Sequence, residues 1–242
     1  MLLEIAVFNY ASALLAFHSG ADRIELCDNA AEGGTTQSYG VLKMVRQEIE
    51  IPVYPIIRPR GGDFLYTDGE FEVMKKDVLL CKDLGFEGVV FGILNPDGSV
   101  DKVRCMQLTE LAYPMEVTFH RAFDRCLDPF EAMEDIIDMG CERILTSGQV
   151  PVASGNLPLI AELVKKADDR IVIMPGSGVR SNNIEQIVKE TGAREFHSSA
   201  RITVESHMKF INKRMDDADT SISVNESEIK AMKQILNRHA NS

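Results

Sequence analysis

Several short stretches of the chain gather side chains able to hold a small ligand and move its protons. Arg23-Ile-Glu-Leu-Cys27 supplies Glu25 and Cys27. Arg58-Pro-Arg-Gly-Gly-Asp63 supplies Arg58, Arg60 and Asp63. Thr118-Phe-His-Arg-Ala-Phe-Asp124 supplies His120, Arg121 and Asp124. Glu25, His120 and Asp124 are candidate proton-transfer groups, in a setting where neighbouring charges tune each pKa. With Arg58 and Asp63 they form the candidate catalytic set. Arg58 and Arg60 are also candidate anion ligands, because a guanidinium meets a carboxylate or phosphate in a bidentate, charge-assisted pair. Gly176-Ser-Gly178 and Ser198-Ser-Ala200 add a second anion-binding candidate: Gly176, Ser177, Gly178 and Ser198 would cradle the anion with backbone N–H groups ahead of a helix. Gly33-Gly34 and Gly61-Gly62 allow close backbone approach to a ligand, or simply turn the chain.

These groups are positioned by strand–helix units that recur about every 25–30 residues. Strands are expected at 2–7, 23–27, 53–58, 88–92, 115–120, 143–147, 171–174 and 195–198. Helices are expected between them, with a last one over 226–238 that Asn225 caps and Glu228 closes as a capping box. Eight units in 242 residues predict an α/β fold of one domain, a (β/α)8 TIM barrel. An open doubly wound sheet would carry a Gly-x-Gly-x-x-Gly after its first strand, and none is present. A long polar stretch over 199–225 reads as a loop on the face where barrel active sites form. It would serve as a lid, a subunit contact or a disordered excursion.

Alternation along strands one and two sets Leu3, Ile5, Val7, Ile24 and Leu26 on the helix-facing side. Glu4, Ala6, Arg23, Glu25 and Cys27 then point into the barrel. A buried carboxylate needs a partner, and a Glu25–Arg58 pair is expected across strands two and three. The Glu–Arg set reads either as a structural ion-pair network or as a substrate pocket. Convergence at one end of different strands favours the pocket, since stability alone does not require it.

Asp plus Glu outnumber Lys plus Arg by 37 to 26, a net charge of −11. Such a surface repels phosphate backbones and anionic lipid, which argues against nucleic acid and membrane as partners. The five cysteines (27, 81, 105, 126 and 141) are odd in number and form no Cys-x-x-Cys, as expected of reduced thiols in a cytoplasmic protein. The apolar N-terminus carries Glu4 and no basic lead, so it reads as a first strand. No uncharged apolar run is long enough to span a membrane. Cys27 is the one metal-ligand candidate at the mouth. A single thiolate is a poor Cu(I) site, zinc spacings are absent, and no organic cofactor is implied.

The same residues carry a family likeness. Arg23–Cys27, Glu32-Gly-Gly-Thr-Thr36, Arg58–Asp63, Thr118–Asp124, Leu145-Thr-Ser-Gly148, Met174-Pro-Gly-Ser-Gly178 and Glu195-Phe-His-Ser-Ser199 occur in an order that resembles the CutC copper-homeostasis family, over residues 1 to about 210. The resemblance implies a TIM barrel, a cytoplasmic location, a homo-oligomer and an association with copper. It also implies Cu(I) held by Cys27 with a second thiol from strand one, where this chain has Ala6. Two functions follow as expectations. One is copper homeostasis through bound Cu(I). The other is a TIM-barrel enzyme acting on a small phosphorylated or carboxylated metabolite.

Overall fold

Apolar, β-branched runs form the eight expected strands: β1 (Leu2–Val7), β2 (Arg23–Leu26), β3 (Val53–Pro55), β4 (Gly88–Phe91), β5 (Glu116–Phe119), β6 (Arg143–Thr146), β7 (Val172–Pro175) and β8 (Glu195–Ser198). Helices follow them: α1 (Tyr10–His18), α2 (Tyr39–Glu48), α3 (Asp68–Leu84), α4 (Lys102–Ala112), α5 (Pro129–Asp138), α6 (Leu157–Ala167), α7 (Ile184–Thr191) and α8 (Glu226–Ala240). The computed structural model describes residues 1–212, 214–215 and 219–240. Helix starts follow local chemistry. Pro129 opens α5, and the Asp128 carboxylate accepts from the N–H groups of Phe130 (2.8 Å) and Glu131 (3.2 Å).

The strands pair in parallel as two arcs, β3-β2-β1-β8 and β4-β5-β6-β7. The Ile57 N–H, which donates to the Val90 carbonyl at 2.7 Å, joins β3 to β4. The fold is the (β/α)8 barrel. Leu3, Ile5, Val7, Ile24 and Leu26 are buried between strands and helices, as alternation requires. β3 ends at Pro55 rather than reaching Arg58. The Arg58 N–H bonds the Thr36 hydroxyl (2.9 Å) instead of a strand neighbour, so Arg58 stands in the loop beyond β3.

Inside the barrel the usual packed aliphatic layers give way to charge. Arg23 Nε lies 2.5 Å from Glu4 and its Nη2 lies 2.6 Å from Glu195. Arg143 reaches the same Glu195 oxygen at 3.2 Å and Glu116 at 2.7 Å. The Tyr54 ring lies between the two guanidiniums, 5.1 Å from Arg23 Cζ and 5.4 Å from Arg143 Cζ, and its hydroxyl donates to Glu116.

Two expectations are corrected. The stretch over 199–225 holds an antiparallel hairpin, β9 (Arg201–Glu205) with β10 (Thr220–Val224), in register from Arg201↔Val224 to Thr220↔Glu205. Alternating Ile, Val and Ser on the two segments supports that pairing. Of its polar stretch, Asp216, Asp217 and Ala218 lie outside the described residues. Asn225 does cap α8 through the Glu228 N–H (3.1 Å), but Glu228 does not close a capping box. Its carboxylate accepts from the Ser181 N–H (2.6 Å) and hydroxyl (2.9 Å), tying α8 to the loop before α7.

Arg23 is 2% exposed and Glu4 is fully buried. Breaking a buried pair strands its partner, so Arg23→Met is expected to lower the free energy of unfolding by about 3–5 kcal/mol in a urea titration. A loss below about 1 kcal/mol would show that the pair is dispensable to the fold.

Candidate functional site

A cavity of about 970 Å³ opens at the C-terminal ends of the strands. Its floor follows from strand register. Glu4 on β1 stands opposite Arg23 on β2 and His197 on β8, and Ala6, one layer higher, stands opposite Glu25. The interior ion-pair chain therefore climbs toward the mouth. His197 Nδ1 lies 2.7 Å from Glu4 Oε1, and His197 Nε2 faces Glu25 Oε2 at 3.7 Å.

The electrostatics of these groups are set by burial and by one another. Burial alone would raise the Glu4 pKa, but the Arg23 charge and the His197 hydrogen bond hold it down at about 2. Glu4 is thus an anion, and His197 Nδ1–H donates to it. Burial pushes Glu25 upward against the opposing pull of His197. His197 itself is raised, because Glu4 and Glu25 outweigh its desolvation. A carboxyl group and an imidazole facing each other at 3.7 Å, both with raised pKa, are placed to trade a proton.

The remaining candidates separate into those that face the cavity and those that build its walls. Glu25, Arg58, Asp63, His120, Asp124, Ser177 and Gly178 line it; Cys27, Arg60, Gly176 and Ser198 do not. The expected Glu25–Arg58 pair does not form. Arg58 instead donates to the carbonyls of Glu32 (2.6 Å), Gly34 (2.8 Å) and Gly62 (2.8 Å), stitching the loops after β2 and β3. Arg60 is no anion ligand here. Its guanidinium is occupied by Glu70 (2.6 Å), Asp63 (2.9 Å) and the Leu65 carbonyl (2.8 Å). Asp63 is held in that pair at the rim.

Asp124 organises loops rather than moving protons. It accepts from Thr146 Oγ1 (2.6 Å), Ser147 Oγ (2.8 Å), the N–H groups of Ser147 and Gln149, and Arg121 Nε (2.8 Å). Ser198 is buried, donating to the Val179 carbonyl (2.7 Å) and accepting from the Ala200 N–H (3.1 Å). Its neighbour Ser199 lines the cavity instead. Gly176 is required by crowding: a Cβ there would lie 2.4 Å from Leu145 and 3.1 Å from His197. Ser177 and Gly178 turn into the mouth with φ of 72° and 71°, and the Ser177 hydroxyl donates to the Pro151 carbonyl (2.8 Å). Strain at Ser177 is thereby held by a neighbouring loop.

Cys27 sits beneath Gly34, packed with Tyr54, Ile56 and Val90. Burial first, and the Glu25 charge second, push its thiol well above the usual range. Cu(I) prefers soft thiolate pairs. Here the thiol is disfavoured as an anion, and β1 offers no second cysteine, its inward residue below the mouth being Ala6. Among the described residues no three His, Cys, Asp or Glu side chains converge closely enough to hold a metal ion. These residues do not fit a copper centre.

Sequence reasoning left out His197, Arg180 and Arg201. For His197 the signal was present. The alternation applied to strands one and two, carried to β8, buries Phe196 outward and turns Glu195 and His197 inward.

Comparison with known proteins gives a consistent picture. The family model described as CutC family matches residues 1–202. A human protein named copper homeostasis protein cutC homolog is 50% identical over 229 residues, 95% of this chain and 84% of its own. A family protein CutC of Parabacteroides distasonis is 51% identical over 223 residues, covering 92% of each chain. Among solved structures, one assigned as copper homeostasis protein CutC from Streptococcus agalactiae superposes with a TM-score of 0.79 at 35% identity, covering 82% of this chain and 98% of that one.

The pKa directions at the floor fix two opposite pH responses of stability. Glu4 is lowered, so its contribution is complete above the unfolded carboxylate value of about 4.5 and is lost as pH falls toward about 2. His197 is raised, so its contribution is complete below an unfolded value of about 6.5 and fades as pH rises through its folded value. Urea unfolding of wild type against Glu4→Gln is expected to show a difference that shrinks between pH 4.5 and 2. For His197→Gln the difference is expected to shrink above pH 6.5. A pH-independent difference in either pair would refute the assigned pairing.

Proposed function

The chain belongs to the CutC family, and on that footing we propose that its barrel mouth binds, and acts as an enzyme upon, a small phosphorylated or carboxylated metabolite. One observation carries this reading. In a chain of net charge −11, Arg180 and Arg201 line the cavity with no carboxylate partner among the described residues. Among the described residues, Arg180 Nη2 donates only to the Arg201 carbonyl (3.2 Å), and Arg201 Nη1 only to that of Ala30 (3.1 Å). Both arginines lie just after β7 and β8, the place where barrels of this type commonly hold phosphate. A ligand anion supplies the countercharge they lack. Glu25 and His197 then stand below it as the proton-transfer pair.

Copper is the other reading, brought by the names of the relatives. It rests here on Cys27 alone, whose surroundings do not suit a Cu(I) centre. A cytoplasmic, homo-oligomeric protein belongs to the same family expectation, and five buried free cysteines agree with a reducing compartment. Among the described residues no helix is long and apolar enough to cross a membrane.

Isothermal titration with inorganic phosphate tests the anion reading. The Arg180→Ala, Arg201→Ala double variant is expected to bind at least about tenfold more weakly than wild type, since charge-assisted bonds contribute about 1.5–3 kcal/mol each. Equal affinities would remove these arginines from the site. Cu(I) competition against a chromogenic chelator is expected to give the same result for wild type and Cys27→Ser. A tight, Cys27-dependent Cu(I) complex would instead establish the copper reading.

A further inference from the structure

Among the described residues, two buried donors in the cavity wall have no acceptor in hydrogen-bonding geometry, the Tyr66 hydroxyl beside Arg58 being itself left without a partner. Arg58 and His120 both line the cavity, each is only 4% exposed, and Arg58 Nε and His120 Nε2 are without a hydrogen-bond partner. The tautomer of His120 is fixed by its neighbour. The Ala122 N–H donates to His120 Nδ1 at 3.2 Å, so Nδ1 is the acceptor and the ring hydrogen is on Nε2. Burial and the Arg58 charge hold the imidazole neutral, with its pKa down at about 3. A buried N–H without an acceptor is uncommon enough in a folded protein to require an explanation. A ligand oxygen placed against both donors supplies one. Glu25 stands on β2, three strands round the barrel from His120, so the two groups approach the cavity from different sides.

Building on the anion reading above, we infer that the cavity catalyses proton transfer at a carbon next to a carbonyl, in a phosphorylated hydroxy-aldehyde or hydroxy-ketone. The carbonyl oxygen sits on His120 Nε2–H and Arg58 Nε–H, Glu25 is the base, and Arg180 and Arg201 hold the phosphate. The step balances without a co-reactant. Glu25 takes the proton from the α-carbon, the C–H electron pair becomes a C=C bond, and the carbonyl π pair moves onto oxygen. The resulting enediolate is held by the two N–H donors, as preorganised dipoles hold developing charge. Return of that proton from Glu25 to the neighbouring carbon, with the hydroxyl hydrogen passing from the other enediolate oxygen to the former carbonyl oxygen, completes an isomerisation. A neutral imidazole donor opposite a glutamate base is a recurring arrangement for this chemistry.

Phe64 roofs the two donors. Its ring centroid lies 4.8 Å from that of His120 and 5.0 Å from Arg58 Cζ. Its carbonyl accepts from the Leu94 N–H at 2.9 Å, which fixes the backbone that carries the ring.

Titration of the full chain with 2-phosphoglycolate and with phosphoglycolohydroxamate, a mimic of the enediolate, decides the matter. Both are expected to bind, the hydroxamate about 100-fold more tightly. His120→Ala is expected to bring the hydroxamate down to the affinity of phosphoglycolate while leaving phosphoglycolate itself little changed, and His120→Gln, which restores an N–H donor, to recover part of the preference. Equal affinity of the two compounds for wild type overturns the proton-transfer inference and leaves the anion site standing. Binding of neither compound overturns the anion reading and this inference with it. If His120→Ala fails to fold, the wild-type comparison still decides.

Discussion

Arg23 holds two carboxylates, the fully buried Glu4 and the part-buried Glu195. Much else in the molecule depends on that contact. A guanidinium buried in a barrel is tolerated only with its countercharges in hydrogen-bonding geometry. The contact therefore locks β1, β2 and β8 in one register, because a slip by one residue would send Arg23 outward among the helices. The locked register puts His197 against the far oxygen of Glu4 and brings Glu25 to the top layer beside it. The interior charges hold the barrel in register, and the uppermost of them reach the ligand space. The two readings of the inward Glu–Arg set thus merge: the lower part is an ion-pair network and its upper end is the floor of a pocket.

Much of this was legible in the residues. The eight strands follow from apolar runs, and the inward turn of Glu4, Arg23 and Glu25 follows from alternation. Partner identity was not legible. Glu25 and Arg58 come from neighbouring strands, yet Arg58 lies past the end of β3, where a guanidinium can bend to three carbonyls. Glu25 was left to a histidine from β8, far away in the chain and adjacent only once the barrel closes. The roles of Arg60 and Asp124 were hidden for a related reason. Whether a charged loop residue faces a ligand or knots its own loop depends on backbone carbonyls and N–H groups, which the amino-acid order does not distinguish. Gly176, expected as an anion ligand, lies outside the cavity lining, and the crowding of Leu145 and His197 that leaves no room there for a side chain is invisible in the amino-acid order.

The thiol that ties the chain to copper by family is the least suited of the mouth residues to bind it. Cys27 is covered by a loop, packed among aromatic and branched side chains, and set near a carboxylate that disfavours its thiolate. The arginines around the same mouth have the opposite character, because they are charged, open and short of countercharge. A site is better judged by which groups lack a partner than by which groups are chemically distinctive. By that measure Arg180 and Arg201 are the mouth residues on which the proposed anion reading rests.

The hairpin of β9 and β10 leaves the barrel after β8 and returns before α8, touching the first turn of the fold where Asn9 Nδ2 donates to the Ile222 carbonyl at 2.8 Å. It carries Arg201, one of the rim cations, yet supplies no strand to the barrel. What the mouth admits can therefore diverge separately from the scaffold beneath it. Lengthening, shortening or recharging this ribbon alters the entrance while the eight strands keep their sequence, so descendants of one ancestral barrel can differ in ligand without re-solving how to fold.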